Sequence, residues 1–328
     1  IMFTSTLMMG TLISISSYSW MSMWMGLEIN LLSIIPLMNN IKVAYSSESS
    51  LKYFITQALA SAVLLFSLIM LSQDLQEFKF LNSTFSWILN SSLFTKMGMA
   101  PFHFWFPEII EGLDWFNCLL ILTWQKIAPM VLVFFNFKSS LLYVFVIVMS
   151  MLIGGLVGLN QTSLRKILTY SSINHMGWMM AAMLTNFVNW LLYFVVYTIT
   201  SAIIIMMFQT MNVFHIKQLI LSMKNSAILK LSFMVNFFSL GGLPPFLGFF
   251  PKWLVINELI KNNFTILSTV MVFLTLVALF YYTRIVYTSL VISNSQLKLV
   301  SKMKINKQIL TLNFINILGL VICILIYI

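Results

Sequence analysis

Five ionisable side chains stand in otherwise apolar sequence. Glu28 lies in Met25-Gly-Leu-Glu-Ile-Asn-Leu31, Lys96 just before Gly98, and Lys126 in Thr123-Trp-Gln-Lys-Ile-Ala-Pro129. His175 lies in Ser171-Ser-Ile-Asn-His-Met-Gly-Trp178, and Lys252 in Phe249-Phe-Pro-Lys-Trp253. Groups of this kind suit proton transfer. Desolvation disfavours the charged form of either a lysine or a glutamate, and an opposite charge reverses that trend. A lysine whose carboxylate partner approaches or withdraws can therefore load and release a proton, and lysine responds readily to burial. Each charge inside a membrane costs roughly 2.5–3.5 kcal/mol, so four of them sum to about 10 kcal/mol or more. A static ion pair between Glu28 and one lysine, fixing helix packing, is the competing reading for those two residues. Lys126 and Lys252 have no obvious carboxylate partner in their own apolar runs, which favours function. His175 reads either as a core histidine or as a member of a polar relay.

The remaining polar residues point elsewhere. None of His103, His175 and His215 shows an H-x-x-x-H spacing, so haem or metal ligation is not expected. His103 is placed to cap backbone groups freed by Pro101, and His215 reads as a solvated loop residue. Cys118 and Cys323 are far apart in apolar sequence and read as buried cysteines rather than as a metal or disulfide framework. Glu108, Glu111 and Asp114 form an acidic cluster suited to a solvated surface or a subunit contact, and Arg284 is expected to snorkel. No phosphate loop or dinucleotide fingerprint is present, which argues against nucleotide or flavin binding.

What must hold these groups is a membrane bundle. The chain of 328 residues is 60% hydrophobic and 8% charged, where a soluble domain carries about 25% charged residues. Taking roughly 20 apolar residues per crossing, about eleven spans emerge: 3–20, 22–41, 52–73, 82–107, 115–137, 140–160, 164–184, 187–209, 228–259, 264–290 and 309–328. The fourth and ninth are too long for simple helices, and each holds a copy of one motif. Gly98-Met-Ala-Pro-Phe-His-Phe-Trp-Phe-Pro107 aligns without gaps with Gly242-Leu-Pro-Pro-Phe-Leu-Gly-Phe-Phe-Pro251, and the two copies contain five of the seven prolines. Proline removes a helix hydrogen bond, and in lipid such a break survives only where protein or water satisfies the freed groups. Paired interrupted helices point to an internally repeated transport fold with the ion path at the breaks.

The fold expected is therefore all-α and integral to the membrane. Two inverted five-helix repeats would each contain a broken helix, around Pro101 in residues 1–137 and around Pro244 in residues 138–290. Residues 291–328 would add a basic loop, 293–308, and a C-terminal span. Gly154 and Gly158, one turn apart, read as a helix-packing pair. The net charge of +10 follows topology rather than nucleic acid. Eleven Lys and Arg fall near even-numbered loops, and Lys79, Lys138 and Lys261 alone near odd-numbered ones. That bias places the N-terminus on the matrix-like side and the C-terminus opposite. No cleavable leader is expected before the first span. The initial Ile, 24 Met and abundant Phe and Asn suggest an AT-rich mitochondrial genome with an alternative start codon.

Five segments resemble, in order, those of the NADH-ubiquinone oxidoreductase chain 2 family, antiporter-like membrane subunits of respiratory complex I. They are Lys96–Glu108, Thr123–Pro129, Gly158–Lys166, Tyr170–Trp178 and Gly241–Trp253. The resemblance spans nearly the whole chain. It implies a place in the proton-pumping arm of complex I in the mitochondrial inner membrane, with three N-terminal helices of bacterial counterparts missing. Glu28 and Lys96 match the glutamate–lysine pair of the first half-channel, and Lys126 matches the central lysine. His175 matches a residue of the central polar axis, and Lys252 the lysine beside the second broken helix. Related subunits use glutamate at that exit. NADH, FMN, iron–sulfur clusters and ubiquinone would then be bound by partner subunits and none by this chain. The partners implied are other membrane-arm subunits, especially the neighbouring antiporter-like chain 4 and the small chain 4L, with accessory subunits and phospholipids including cardiolipin.

Three classes of function follow. A proton-translocating subunit of a redox-driven pump leads. A stand-alone cation/proton antiporter of the same ancestry would need several carboxylates or carbonyls at mid-membrane, and Glu28 is the only mid-span acid. A structural spacer leaves the cost of Lys126 and Lys252 without a return.

Overall fold

A computed structural model of the chain describes residues 2–39, 44–72, 82–137, 140–223 and 227–291, together with Asn313, Asn316 and Gly319. The basic linker 293–308, Cys323 and most of the last expected span lie outside the described residues. The described chain is helical, apart from one isolated β-bridge between Ser163 and His215. It divides into two compact units, Ile1–Val146 and Ile147–Ile328, with the division falling inside one helix.

The first unit contains α1 (Met2–Ser16), α2 (Trp20–Met38), α3 (Ala44–Ser72), α4 (Asn82–Met97), α5 (Trp105–Glu111), α6 (Trp115–Leu122) and α7 (Trp124–Phe135), and the start of α8 (Ser140–Leu156). Ser19 caps α2, its hydroxyl accepting from the Ser22 N–H at 3.3 Å. Helices α1 and α2 approach closely because Gly10 and Gly26 face each other, so that a Cβ on Gly26 would come within 2.6 Å of the Ser14 backbone nitrogen. Helix α4 packs between α3 and α7. Asn136 of its neighbour's end donates to Asn90 Oδ1 at 3.1 Å, a polar clasp inside the unit.

The second unit contains the rest of α8, a 3₁₀ turn at Val157–Asn160, α9 (Leu164–Thr185), α10 (Phe187–Met211), α11 (Ile216–Met223), α12 (Ala227–Gly241), α13 (Phe249–Lys261) and α14 (Thr265–Val291). Helix α9 is the centre of this unit: it is buried almost all round, against α10, α13 and α14. Its Thr169, Ser171 and Ser172 hydroxyls bond back to carbonyls one turn earlier, which satisfies them without water. Gly154 lets α8 meet α9: a Cβ there would lie 2.8 Å from the Asn174 nitrogen and the Tyr170 oxygen. The packing expectation for Gly154 thus holds.

Two expectations are refined. The fifth span, expected over 115–137, is one candidate crossing over Trp115–Phe135 but is divided into two helices at Thr123, whose φ is −117° and ψ −69°. The Thr123 hydroxyl and its backbone N–H both reach the Leu119 carbonyl, at 2.6 and 3.0 Å, and further on Pro129 supplies no N–H for the turn that begins at Gln125. The loop after residue 211 contains a helix, α11. Gln218 accepts from the Phe214 and His215 N–H groups at 2.9 and 3.3 Å, a side-chain cap at its first turn. His215 itself is exposed, as a solvated residue should be. Among the described residues, six helical segments are long and apolar enough to cross a membrane: Trp20–Met38, Ala44–Ser72, Trp115–Phe135, Leu141–Asn160, Phe187–Met211 and Thr265–Leu290.

Candidate functional site

The repeated motif breaks both helices in the same way. Helix α4 ends at Met97 and α5 begins at Trp105; α12 ends at Gly241 and α13 begins at Phe249, each bound shifted by the 144 residues that separate the two motif copies. Gly98 and Gly242 follow the last helical residue with φ of +72° and +80°, a conformation glycine adopts without strain. The hydrogen bonds also correspond. Gly98 N–H reaches Thr95 O and Met99 N–H reaches Phe94 O; Gly242 N–H reaches Ser239 O and Leu243 N–H reaches Phe238 O. Both are Schellman closures, in which the left-handed residue turns the chain back over the last carbonyls. The prolines then hold the connecting turn out of helix until the second segment starts.

Around the first break, the expected pair comes together. Lys96 occupies the last turn of α4, and its Nζ lies 3.8 Å from Glu28 Oε1 on α2. The lysine side chain is 4% exposed and the glutamate 25%. At 3.8 Å this is an ion pair without a hydrogen bond, and Glu28 Oε1 has no hydrogen-bond partner. The carbonyls freed at the end of α4 are used by side chains: Gln57 Nε2 donates to Lys96 O at 3.3 Å, and Trp105 Nε1 to Thr95 O at 3.1 Å. His103 is buried, with Nδ1 3.3 Å from the Pro101 carbonyl.

Lys126 stands in the first turn of α7, directly after the Thr123 interruption, and is 1% exposed. Its ammonium sits 5.5 Å from the centre of the Phe106 ring, which belongs to α5 beyond the first break. Between Lys96 and the segment that carries Lys126 lies a cavity of about 20 Å³, room for one water. Asn30, Tyr53, Gln57, Lys96 and Gln125 contribute its polar lining. Tyr53 donates to Gln125 Oε1 at 3.5 Å, while Gln125 Nε2 and Asn30 Oδ1 are buried without partners. These four uncharged residues were missed from sequence. Asn30 and Gln125 stand within two positions of Glu28 and Lys126, which was the available signal.

Around the second break the solution differs. Lys252 lies in the first turn of α13 and reaches back across the break: its Nζ donates to Gly241 O at 2.8 Å and Leu240 O at 3.3 Å. Leu240 occupies the place in this copy that Lys96 has in the first. The terminal carbonyls of α12 carry the negative end of the helix dipole and stabilise a cation there. The ammonium also lies 5.9 Å from the Trp178 ring of α9. On α9, His175 Nδ1 meets the Tyr193 hydroxyl at 2.9 Å, and the Tyr197 ring lies 5.2 Å away, both from α10. His175 is therefore hydrogen-bonded within a polar cluster rather than packed among apolar side chains alone.

The acidic cluster behaves as surface. Lys52 contacts Glu108 at 3.1 Å and Glu48 at 3.0 Å, all well exposed, an arrangement of small energetic weight. Arg284 is exposed and donates to the Leu159 carbonyl. Cys118 is buried.

Residues 17–278 match the family model described as NADH:quinone oxidoreductase/Mrp antiporter, transmembrane. The chain is 49% identical over 333 residues to NADH-ubiquinone oxidoreductase chain 2 of Anopheles gambiae, covering 99% of this chain and 97% of that one. It is 50% identical over 328 residues to the protein of the same name from Aedes aegypti, covering 98% and 96%. Among solved structures, a chain of respiratory complex I from Thermus thermophilus superposes with a TM-score of 0.84 at 22% identity, covering 97% of this chain and 77% of that chain, a likeness of fold. The broken helices, the buried lysines and these full-length matches agree: this integral membrane protein belongs to the NADH-ubiquinone oxidoreductase chain 2 family.

Proposed function

We propose that the chain moves protons across the mitochondrial inner membrane as a membrane-arm subunit of complex I. Glu28, Lys96, Lys126, His175 and Lys252 act as the carriers. Electron transfer from NADH through FMN and iron–sulfur clusters to ubiquinone takes place in partner subunits. The observation that carries this reading is the first unit's cavity. It sits between Lys96 and the Lys126 segment, holds space for one water, and is faced by buried polar atoms that lack other partners. A water there can accept from one group and donate to the next, so a proton released at Lys96 has a hydrogen-bonding stepping stone toward Lys126. Glu28, at 3.8 Å, is placed to hold or release the Lys96 proton as the two separate or close.

The matching breaks support two repeats, one over 1–137 and one over 138–290, of opposite orientation in the membrane. In this reading the N-terminus faces the matrix and the C-terminus the intermembrane space. The antiporter-like chain 4 and the small chain 4L flank the subunit, with accessory subunits and lipids such as cardiolipin around it.

Substituting Lys126→Met tests the reading. It nearly keeps the volume, removes the titratable group and eases insertion by up to about 3 kcal/mol. Assembled complex should be present at normal level, while proton uptake coupled to NADH oxidation falls. Normal uptake by a fully assembled complex would mean that the chain is a spacer at this position.

A further inference from the structure

Helix α14 presents Tyr281, Arg284, Ile285 and Thr288 along one face, at the i, i+3, i+4, i+7 spacing. That face meets the turn after α8 and the start of α11, leaving a cavity of about 360 Å³. Asn160, Gln161, Thr162, Arg284 and Thr288 give it polar walls, and it has room for several waters. It lies at the end of the second unit that carries Arg165, Lys166 and Lys217.

One turn along α14 from this cavity, Tyr281 is completely buried. Gly158 admits its ring: a Cβ there would lie 3.2 Å from Tyr281 Cε1. The ring of Tyr282 follows, with centroids 4.3 Å apart. The Tyr282 hydroxyl faces the hydroxyls of Tyr281 and Ser171, and neither phenol makes a well-formed hydrogen bond. Beyond Tyr282 are the two groups of the second site. Its ring lies beside Gly241, where a Cβ would be 3.7 Å from Cδ2, and the Gly241 carbonyl holds Lys252 Nζ. Ser171 stands one turn before His175 on α9.

Two adjacent buried phenols that share so few partners are costly, because a polar group taken from water loses its hydrogen bonds. Phenylalanine would fill the same volume without that loss. A phenol is both donor and acceptor, so its oxygen can take a proton from one side while its own leaves on the other, with no net change of charge.

We propose that Tyr281 and Tyr282 form the proton inlet of the second unit, leading from the cavity beside Arg284 to Lys252 and His175. The proposal rests on the reading of Lys252 as a proton carrier. It is tested with Tyr281→Phe, Tyr282→Phe and the double variant in membranes containing the whole complex. Tyr287→Phe, an exposed tyrosine on the same helix, serves as control and Lys252→Met as reference. The tyrosine variants should assemble normally, with proton uptake coupled to NADH oxidation slowed by about a hundredfold, the lower end of what a positioned proton-transferring group contributes. The solvent deuterium isotope effect on uptake should change in the same variants, and Tyr287→Phe should match the parent in both measurements. Uptake unchanged in the double variant while Lys252→Met abolishes it would overturn the inlet and spare the lysine. Unchanged uptake in Lys252→Met as well would overturn the carrier reading itself. Reduced assembly with normal uptake per assembled complex would assign the hydroxyls to packing and overturn the inlet.

Discussion

Removing the carboxylate from Glu28 should separate a relay from a fixed ion pair. Two unit charges 3.8 Å apart attract by about 4 kcal/mol at an effective dielectric near 20. The partial exposure of Glu28 reduces that figure, while Lys96, at 4% exposed, has little water to turn to. Glu28→Gln keeps the shape and leaves the ammonium without its counter-charge, beside uncharged Asn30, Tyr53, Gln57 and Gln125 and apolar Leu27, Leu31 and Pro129. Breaking one side of a buried pair typically costs about 3–5 kcal/mol. The single variant should therefore lower both the amount of assembled complex and proton uptake. The double variant Glu28→Gln/Lys96→Met carries no stranded charge, and replacing a buried pair by uncharged groups is often neutral or stabilising. Assembly should then recover while uptake does not. Native-gel quantification of assembled complex, combined with NADH-driven quenching of a pH-sensitive dye in sealed vesicles, reads the two quantities separately. A double variant that assembles and pumps like the parent would show that the pair only fixes the packing of α2 on α4.

Two further outcomes follow from glycines. Gly98→Ala and Gly242→Ala should each cost about 1–2 kcal/mol for the left-handed backbone, but only the second places a Cβ 2.8 Å from Lys252 Nζ. Gly242→Ala should thus lose more proton uptake per assembled complex than Gly98→Ala, as measured in the same vesicles; equal losses would refute a role for the Lys252 position. Gly26→Ala forces α1 and α2 apart against the Ser14 backbone. It should lower the thermal stability of the purified complex by the ~1–3 kcal/mol of overpacking, with uptake per assembled complex unchanged.

The parts of this architecture legible in sequence are those written in residue types with few alternative uses. Gly98 and Gly242, each followed within three residues by proline, mark where α4 and α12 stop, because a left-handed glycine closes a helix end and the proline after it disfavours continuation. Lysines in apolar runs announce burial by their cost, and Lys96, Lys126 and Lys252 are all buried. Thr123 was not legible as a break, since threonine occurs within helices. The polar lining supplied by Tyr53 and Gln57, and the Tyr193, Tyr281 and Tyr282 hydroxyls, escaped for another reason. Tyrosine and glutamine are unremarkable on any helix, and only contact across helices shows which of them face a carrier. The partner of Lys252 could not be found by searching for acids, because it is backbone.

That last point bears on how the two units can change over generations. The counter-charge of Lys96 is a side chain that one substitution erases. The counter-charge of Lys252 is a pair of peptide carbonyls that no substitution at Leu240 or Gly241 can delete. What substitution can do is displace them, and the vulnerable positions are the glycines that let the chain close over the helix end. Gly242 is one, and Gly248 is the other, where a Cβ would fall onto the Ser239 carbonyl oxygen. In this half of the molecule, selection on an electrostatic contact is therefore exerted on residues that carry neither charge nor side chain.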